Sequence, residues 1–387
     1  MKACMLAYTF YETDNRVMRY AEELVRQGWT VEAIALRREG QAKTENINGV
    51  EVLRIQTRRI DEKGRLSYLK RIAEFLFRSS WVVSRRHMRE RYDLIHVHSV
   101  PDFEVFAALF PKLMGAKVIL DIHDIVPEFY SAKFNTSKNS PLFKALVLAE
   151  RISAGFADHV IISNHIWEKK VIERSVPPEK CTTIMNYPSD LWQKEYRRTR
   201  NDDRFVLVYP GSLNWHQGLD IAIDAMNIIK EEIPKAELHI VGEGPAKADL
   251  ISQARRSGLE DKVKFMDPVP ITEVPHIMVN ADIGIIPKRN DEFGGEAFST
   301  KTLEFMSVGV PIIVSRTTID NYYFNDEVVR FFEPGNPESL AEAISELCCH
   351  PDQRMKQTEK ASDFVAKFSW KSNRRIYLDM VDRLIEN

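Results

Sequence analysis

Short apolar runs alternate with stretches of helical period along most of the chain. "ACMLAYT" precedes a helical pattern over Asn15–Gln27, which Gly28 stops before "TVEAIAL". "LIHVHS" leads into an apolar helix closed by Gly115, and "KVILDIHD" and "HVIISN" follow. This rhythm predicts βαβ units around a parallel sheet covered on both faces. It restarts with "FVLVYPG", the helix Gly218–Ile229, "AELHIVGEG", "VKFMDPV", "IGIIPK" and "PIIVSR". The polar stretch "YPSDLWQKEYRRTRNDDR" has neither period and is expected to be a linker near residues 187–203. The chain is therefore expected to be α/β, with two Rossmann-like domains, 1–190 and 200–368, facing each other across a cleft. The closing helix, 369–387, is expected to return to the first domain.

The length, 387 residues, supports two domains rather than one core. With 44% apolar and 28% charged residues the composition is globular, and a net charge of −2 argues against nucleic acid as a partner. Cys4, Cys181, Cys348 and Cys349 form no CxxC pair and no disulfide framework, so a cytoplasmic location is expected. The apolar run at the start is broken early by Glu12 and Asp14, which disfavours a signal peptide, and no run is long enough to cross a bilayer.

The richest stretch is "GGEAFSTKTLEFMSVGVPIIV", Gly294 to Val314, with Glu296 and Glu304 eight positions apart. Ser299 or Thr300 can cap a short helix that Gly309 ends. The free N–H groups at such a helix start attract a phosphate, and Lys301 adds a positive charge. Glu304 can accept two hydroxyls of a ribose, and Glu296 those of a second sugar. The set fits a nucleotide-diphosphate sugar. Glutamates at this spacing also arise by chance, and a capped helix after a strand is ordinary in α/β chains.

This stretch resembles the E-x7-E signature of the retaining glycosyltransferases of family 4, which have the GT-B fold. "VYPGSLNWHQGLDIAIDAM", "PKAELHIVGEGP", "VKFMDPVP", "ADIGIIP", "FFEPGNPESLAEAI" and the closing "FSW" follow in the family's order. "DNRVMRYAEELVRQGWTVEAIAL" and "VILDIHD" resemble its first domain. The likeness implies that Glu304 binds the ribose, Glu296 binds the transferred sugar, and the N–H groups of Phe298, Ser299 and Thr300 cradle the diphosphate. Gly211, Ser212 and Gly242 join this donor-binding set. His123 is similar to a histidine placed near the donor sugar, and would otherwise cap a neighbouring element. Glu296, His123 and Lys301 are the expected catalytic residues.

Two departures stand out. An arginine and a lysine of many relatives are replaced by Ser212 and Gln217, so Lys301, with Lys288 or Arg289 assisting, is expected to supply the missing charge. The subset active in surface-polysaccharide pathways is similar in this respect. At the amino end, "YTFYETDNR" stands where relatives have a glycine-rich turn, which brings in Asp14, Asn15 and Arg16 as candidate acceptor-side or phosphate contacts. Retention is implied by the resemblance. No metal and no cofactor beyond the donor are expected. His96 and His98 share one strand face without further ligands, so packing is favoured over zinc.

Residues 63–91 carry nine Lys or Arg against Glu74 and Glu90, a net +7 in a chain of net −2. Leu66, Leu69, Ile72, Leu76 and Val83 fall near helical spacing, with Phe75, Phe77 and Trp81 broadening the apolar surface. Such a helix suits peripheral contact with an anionic membrane, here the inner face of the cell membrane, or else is a solvated helix with a core-facing side. The expected function is transfer of a sugar from a nucleotide-diphosphate sugar to a glycan or lipid-linked acceptor. The alternatives are a nucleotide-sugar epimerase or a non-catalytic binding subunit of the same fold.

Overall fold

A computed structural model describes residues 1–58, 65–99, 101–134 and 136–386, and the chain divides into two units. Unit 1 comprises Met1–Asn186 with Arg374–Asn387, and unit 2 comprises Tyr187–Asn373.

Unit 1 is built on an eight-stranded sheet of β1 (Lys2–Ala7), β2 (Thr30–Arg37), β3 (Thr44–Ile47), β4 (Val50–Thr57), β5 (Leu94–His98), β6 (Lys117–Ile122), β7 (His159–Ile162) and β8 (Cys181–Thr183). Their order is β3-β4-β2-β1-β5-β6-β7-β8. Strands β1, β5 and β7 are buried along their whole length, as parallel strands covered on both faces must be. The covering helices are α1 (Asn15–Arg26), α2 (Arg65–Arg89), α3 (Leu109–Leu113), α4 (Val126–Phe134), α5 (Pro141–Phe156) and α6 (His165–Arg174). One pair departs from the parallel rule: β3 and β4 run antiparallel around Asn48 and Gly49, both at positive φ. This is the hairpin signal of an Asn-Gly pair between two short runs, and apolar periodicity does not reveal it because β3 is nearly all exposed.

Unit 2 carries β9 (Phe205–Pro210), β10 (Ala236–Val241), β11 (Val263–Met266), β12 (Ile283–Ile286), β13 (Ile312–Ser315) and β14 (Arg330–Phe332), all parallel, in the order β11-β10-β9-β12-β13-β14. Its helices are α7 (Leu219–Ile229), α8 (Lys247–Arg256), α9 (Val274–Met278), α10 (Thr300–Ser307), α11 (Thr318–Tyr323), α12 (Pro337–Cys349) and α13 (Pro351–Lys367). Two apolar clusters cover the sheet, one around Leu207, Ile223 and Ile344, the other around Val208, Phe305 and Phe331.

The stretch expected to be a linker is attached to unit 2. Trp192 is buried in the second of these clusters. Asn280 Oδ1 accepts from the N–H groups of Thr199 and Arg200 at 2.9 and 2.8 Å, and Asp282 pairs with Arg198 at 2.8 Å. Polar composition hides this docking because it runs through hydrogen bonds and one tryptophan. The last helix, α14 (Trp370–Glu386), belongs to unit 1 from Arg374 onward. There Tyr377, Met380 and Val381 are buried.

Candidate functional site

In unit 2 the sheet order changes direction between β9 and β12, and open α/β sheets hold ligands at the carboxyl ends of strands at such a point. A pocket of about 400 Å³ lies there. The turns after β9 and β10 supply Gly211, Ser212 and Gly242, the segment after β11 supplies Pro268, Val269 and Ile271, and α10 supplies Thr300, Lys301 and Glu304.

The floor of the pocket is bare backbone. Gly211 and Gly242 sit at φ 148° and 151°, where side chains are strained. A Cβ on Gly242 would stand 1.9 Å from the Gly211 carbonyl oxygen, and one on Gly211 would stand 2.3 Å from Lys301 Cε. Buried Tyr209 supports this floor: its hydroxyl donates to the Ser212 carbonyl at 3.0 Å, and its ring lies 5.3 Å from Lys301 Nζ.

The loop from β12 to α10 is fastened before it reaches the pocket. Lys288, 2% exposed, pairs with Asp320 at 2.9 Å and donates to the Ala297 carbonyl at 2.8 Å. Asn290 Oδ1 accepts from Thr318 N–H at 3.1 Å, and the Gly295 carbonyl accepts from Ile319 N–H at 2.9 Å. Arg289 pairs with Asp220 and lies 3.9 Å from the centroid of Trp215. Lys288 and Arg289, expected to assist Lys301, are thus already matched by acids within unit 2. Glu296 is half-buried on this fastened loop.

At the start of α10, Ser299 occupies the cap position without a capping hydrogen bond, and its buried hydroxyl has no partner among the described residues. Capping was expected of Ser299 or Thr300, yet the cap residue Ser299 makes no such bond and the helix start is left open. The N–H groups of Phe298, Ser299 and Thr300 have no protein acceptor among the described residues. Such an end suits an anion. The Phe298 ring packs on Tyr323 and Phe324, which fixes the backbone preceding the helix. Gly309, at φ 72°, closes the helix as expected.

Lys301 and Glu304 are both half-buried. Burial pulls the Lys301 ammonium down, Glu304 partly restores it, and Lys288 lowers it again. Burial pushes the Glu304 carboxyl up, against Lys301 and a Thr300 hydrogen bond that hold it down. The pocket places Lys301 and Glu304 a helical turn apart, each in its charged form disfavoured by burial, while Glu243, also on the lining, is paired with Lys247. Neutral Ser212 is exposed at the rim, and the Gln217 Oε1 is buried without a partner among the described residues.

In unit 1, Asp121 at the end of β6 is the hub of a buried polar cluster. It accepts from Arg16 Nε at 2.8 Å and Nη2 at 2.6 Å, and stands 3.2 Å from both His98 Nδ1 and His123 Nε2. Burial raises its carboxyl, but Arg16, His123 and His98 outweigh this and hold it well below the usual range. Burial lowers His98 and, further, His96, whose Nδ1 lies 3.1 Å from Tyr377 Oη. His96, His98 and Asp121 come close enough to share an ion. Arg16, however, already engages both oxygens of Asp121, so the acid serves a buried guanidinium and the set does not fit a dication.

Arg16 also donates to the Ile184 carbonyl at 2.7 Å and to Asn186 Oδ1 at 2.9 Å, so its side chain is a buried strut. Asp14 Oδ1 accepts from the N–H groups of Arg16 and Val17, both at 3.2 Å, which caps α1. Of the three residues expected on the acceptor side, only Asn15 is exposed. His123 is partly exposed, with side-chain exposure of 19%. Sequence reasoning missed Tyr209, the Lys288–Asp320 fastening and the apolar wall after β11. Only the last has a local signal, the proline-rich "DPVPITEVP" directly behind a strand.

The family model described as "Glycosyl transferases group 1" matches residues 192–364, and that described as "Glycosyl transferase 4-like domain" matches residues 13–186. The alpha-D-kanosaminyltransferase of Streptomyces kanamyceticus is 23% identical over 307 residues, covering 75% of this chain and 77% of that protein. The chain spans only 41 to 52% of the length of three further relatives. Sucrose-phosphate synthase from Thermosynechococcus elongatus superposes with a TM-score of 0.80 at 16% identity, covering 100% of both chains. Anabaena Alr3699/HepE, solved in complex with UDP-glucose, superposes with a TM-score of 0.72 at 15% identity, covering 98% of this chain and 99% of that one.

Proposed function

The chain belongs to the group 1 glycosyltransferases, with the GT-B fold, and on that premise we propose that it takes a nucleotide-diphosphate sugar in the pocket of unit 2. It passes the sugar, with retention, to a glycan or lipid-linked acceptor in the making of a cell-surface polysaccharide or glycoconjugate. The observation that carries this reading is the open amino end of α10 in one pocket with Lys301 and Glu304.

In this reading the base lies against Pro268, Val269 and Ile271, the ribose diol donates to Glu304, and Glu296 holds hydroxyls of the transferred sugar. The diphosphate crosses the glycine floor to the N–H groups of Phe298, Ser299 and Thr300. Its charge grows as the glycosidic bond breaks, and Lys301 with those N–H groups stabilises it. The acceptor hydroxyl attacks on the side the diphosphate leaves from and gives its proton to the departing β-phosphate oxygen, so no protein nucleophile and no metal is required. His123 is assigned to the transferred sugar by the family resemblance. If its Nε2–H donates to Asp121, its Nδ1 is left as an acceptor for a sugar hydroxyl. The basic helix α2 holds the enzyme peripherally at the inner face of an anionic membrane.

The test is turnover of UDP-, GDP- and ADP-sugars with and without mixtures of lipid-linked and oligosaccharide acceptors, with the product's anomeric configuration read by NMR. Acceptor-dependent release of nucleoside diphosphate, with the donor's configuration kept, is expected. Conversion of the sugar without acceptor identifies an epimerase, and an inverted product rejects retention. Full biological activity of Lys301→Ala identifies a non-catalytic subunit.

A further inference from the structure

We infer that the indole of Trp215 is a platform on which a saccharide acceptor stacks at the rim of the unit 2 pocket, an inference that rests on the transferase reading. The platform lies wholly in unit 2, and the basic segment, whose residues 63 and 64 lie outside the described residues, has no part in it.

Trp215 is 66% exposed on the turn after β9, three residues beyond Ser212 of the pocket lining. Three residues of chain reach at most about 11 Å, so Trp215 stays near the rim. A surface tryptophan is ordinarily free to swing, but this one is held. The Arg289 guanidinium lies 3.9 Å from its ring centroid, and the buried Arg289 Nε has no hydrogen-bond partner among the described residues. The ring face is what that donor meets instead. The backbone is tied as well: Arg289 N–H donates to the His216 carbonyl at 2.9 Å, and the His216 ring stands edge-on to Phe293 at 6.0 Å. Gly218 closes the turn at φ 65°, where a Cβ would stand 2.0 Å from the Pro287 carbonyl oxygen. The guanidinium covers one face of the indole, and the exposure of the residue leaves the other to solvent. A ring fixed in advance gives up little further freedom when a ligand stacks on it.

The chemistry of the ring selects the occupant. An aromatic face is electron-rich and attracts the polarised C–H bonds on the apolar face of a pyranose, whose hydroxyls stay at the edge in water. Arg289 is matched by Asp220, and Asp291 Oδ1 accepts from the N–H groups of Phe293 and Gly294, so a neutral saccharide suits the surface. Position selects the role. The wall assigned to the base follows β11, while the loop that holds Arg289 follows β12, three strands across the sheet. At the spacing of neighbouring strands that is about 14 Å. His216 packs beside Gly294, whose Cβ would stand 3.3 Å from the His216 Cβ, two residues before Glu296. Trp215 therefore borders the end of the site assigned to the transferred sugar, where the accepting sugar has to come.

Maltotetraose, cellotetraose and chitotetraose are titrated into the wild-type chain, Trp215→Phe and Trp215→Ala, by calorimetry and by tryptophan fluorescence. Each titration is run with and without the nucleoside diphosphate of the preferred donor, and transfer to the tetrasaccharides and melting curves are measured in parallel. The inference expects at least one tetrasaccharide to bind the wild type and change its emission. Trp215→Phe should keep the binding and lose the emission change. Trp215→Ala should weaken binding and raise the acceptor KM about tenfold or more, with nucleotide affinity and melting temperature unchanged. No binding by the wild type, or equal binding by the wild type and Trp215→Ala, overturns the inference. Weaker nucleotide-sugar binding in Trp215→Ala with unchanged tetrasaccharide binding assigns the ring to the donor and also overturns it. Tetrasaccharide binding that Trp215→Ala loses, without donor turnover by the wild type, keeps the platform and overturns the transferase reading.

Discussion

Lys301 crosses Gly211 so closely that a Cβ on the glycine would stand 2.3 Å from the lysine Cε. The two positions come from different elements, the turn after β9 and the first turn of α10, and each permits the other. The turn carries neutral Ser212 and Gln217, and a glycine over which a lysine from α10 lies.

Removing that lysine should therefore damage the chemical step more than the fold. Lys301→Ala is expected to lower kcat by about 10²- to 10³-fold, the range seen when one preorganised charge-stabilising group is deleted. The thermal midpoint should hold, because a half-buried ammonium lowered by burial is not a source of stability. Steady-state kinetics beside a melting curve checks both.

Gly242→Ala should fail for a different reason. Its methyl meets the Gly211 carbonyl oxygen at 1.9 Å, backbone against backbone, at a φ of 151°. A cost of about 1–3 kcal/mol in stability and loss of donor binding are expected. Gly258→Ala is the control, at φ 64° with nothing within 4 Å, and should cost only about 1 kcal/mol with turnover intact. Denaturant titration and donor titration of the two variants make the comparison.

Glu304 links donor binding to pH. Its carboxyl is raised in the folded chain, so it takes up a proton at higher pH than in the unfolded chain. Stability of the empty protein therefore falls as pH rises through the folded-state value, while donor affinity, if the proposed contact of the carboxylate with the ribose diol is made, is expected to rise over the same interval. Glu304→Gln is expected to raise the melting temperature of the empty protein at neutral pH, to increase the donor KM about tenfold or more, and to flatten its pH dependence. Melting curves and KM across mildly acidic to neutral pH show whether the two quantities move in opposite directions.

Asp121 carries the opposite sign. It is held low by Arg16, so its contribution to stability is present above the usual carboxylate range and lost only as pH falls through its lowered value. Asp121→Asn leaves Arg16, 4% exposed, without its counter-charge and should cost about 3–5 kcal/mol. The double variant Arg16→Met/Asp121→Asn should recover part of that loss in a urea titration. Equal loss in both would show that the pair is not coupled.

The parts of this molecule that were legible in the sequence are those whose signal is local. The strands from Phe205 to Pro210 and from Ile312 to Ser315 announce themselves as unbroken apolar runs, and Gly309 marks the end of α10. Lys301 and Glu304 are three residues apart on one helix, so their meeting in one pocket follows from their spacing. What stayed hidden depends on long-range partners. Lys288 looks like a free cation at the pocket until Asp320, 32 residues on, is found beside it. Arg16 looks like a phosphate contact until Asp121 and Ile184 close around it. Charge in a sequence does not state its counter-ion, and both misreadings arose there.

The most direct measurement is calorimetric titration of the nucleoside diphosphate of the preferred donor into the wild-type chain, Lys301→Ala and Glu304→Ala. Saturable binding by the wild type, weakened about tenfold or more in each variant with its fold intact, is the predicted result. Equal affinity in all three proteins would mean that the diphosphate and ribose lie elsewhere, and would contradict the assignment of the pocket before α10.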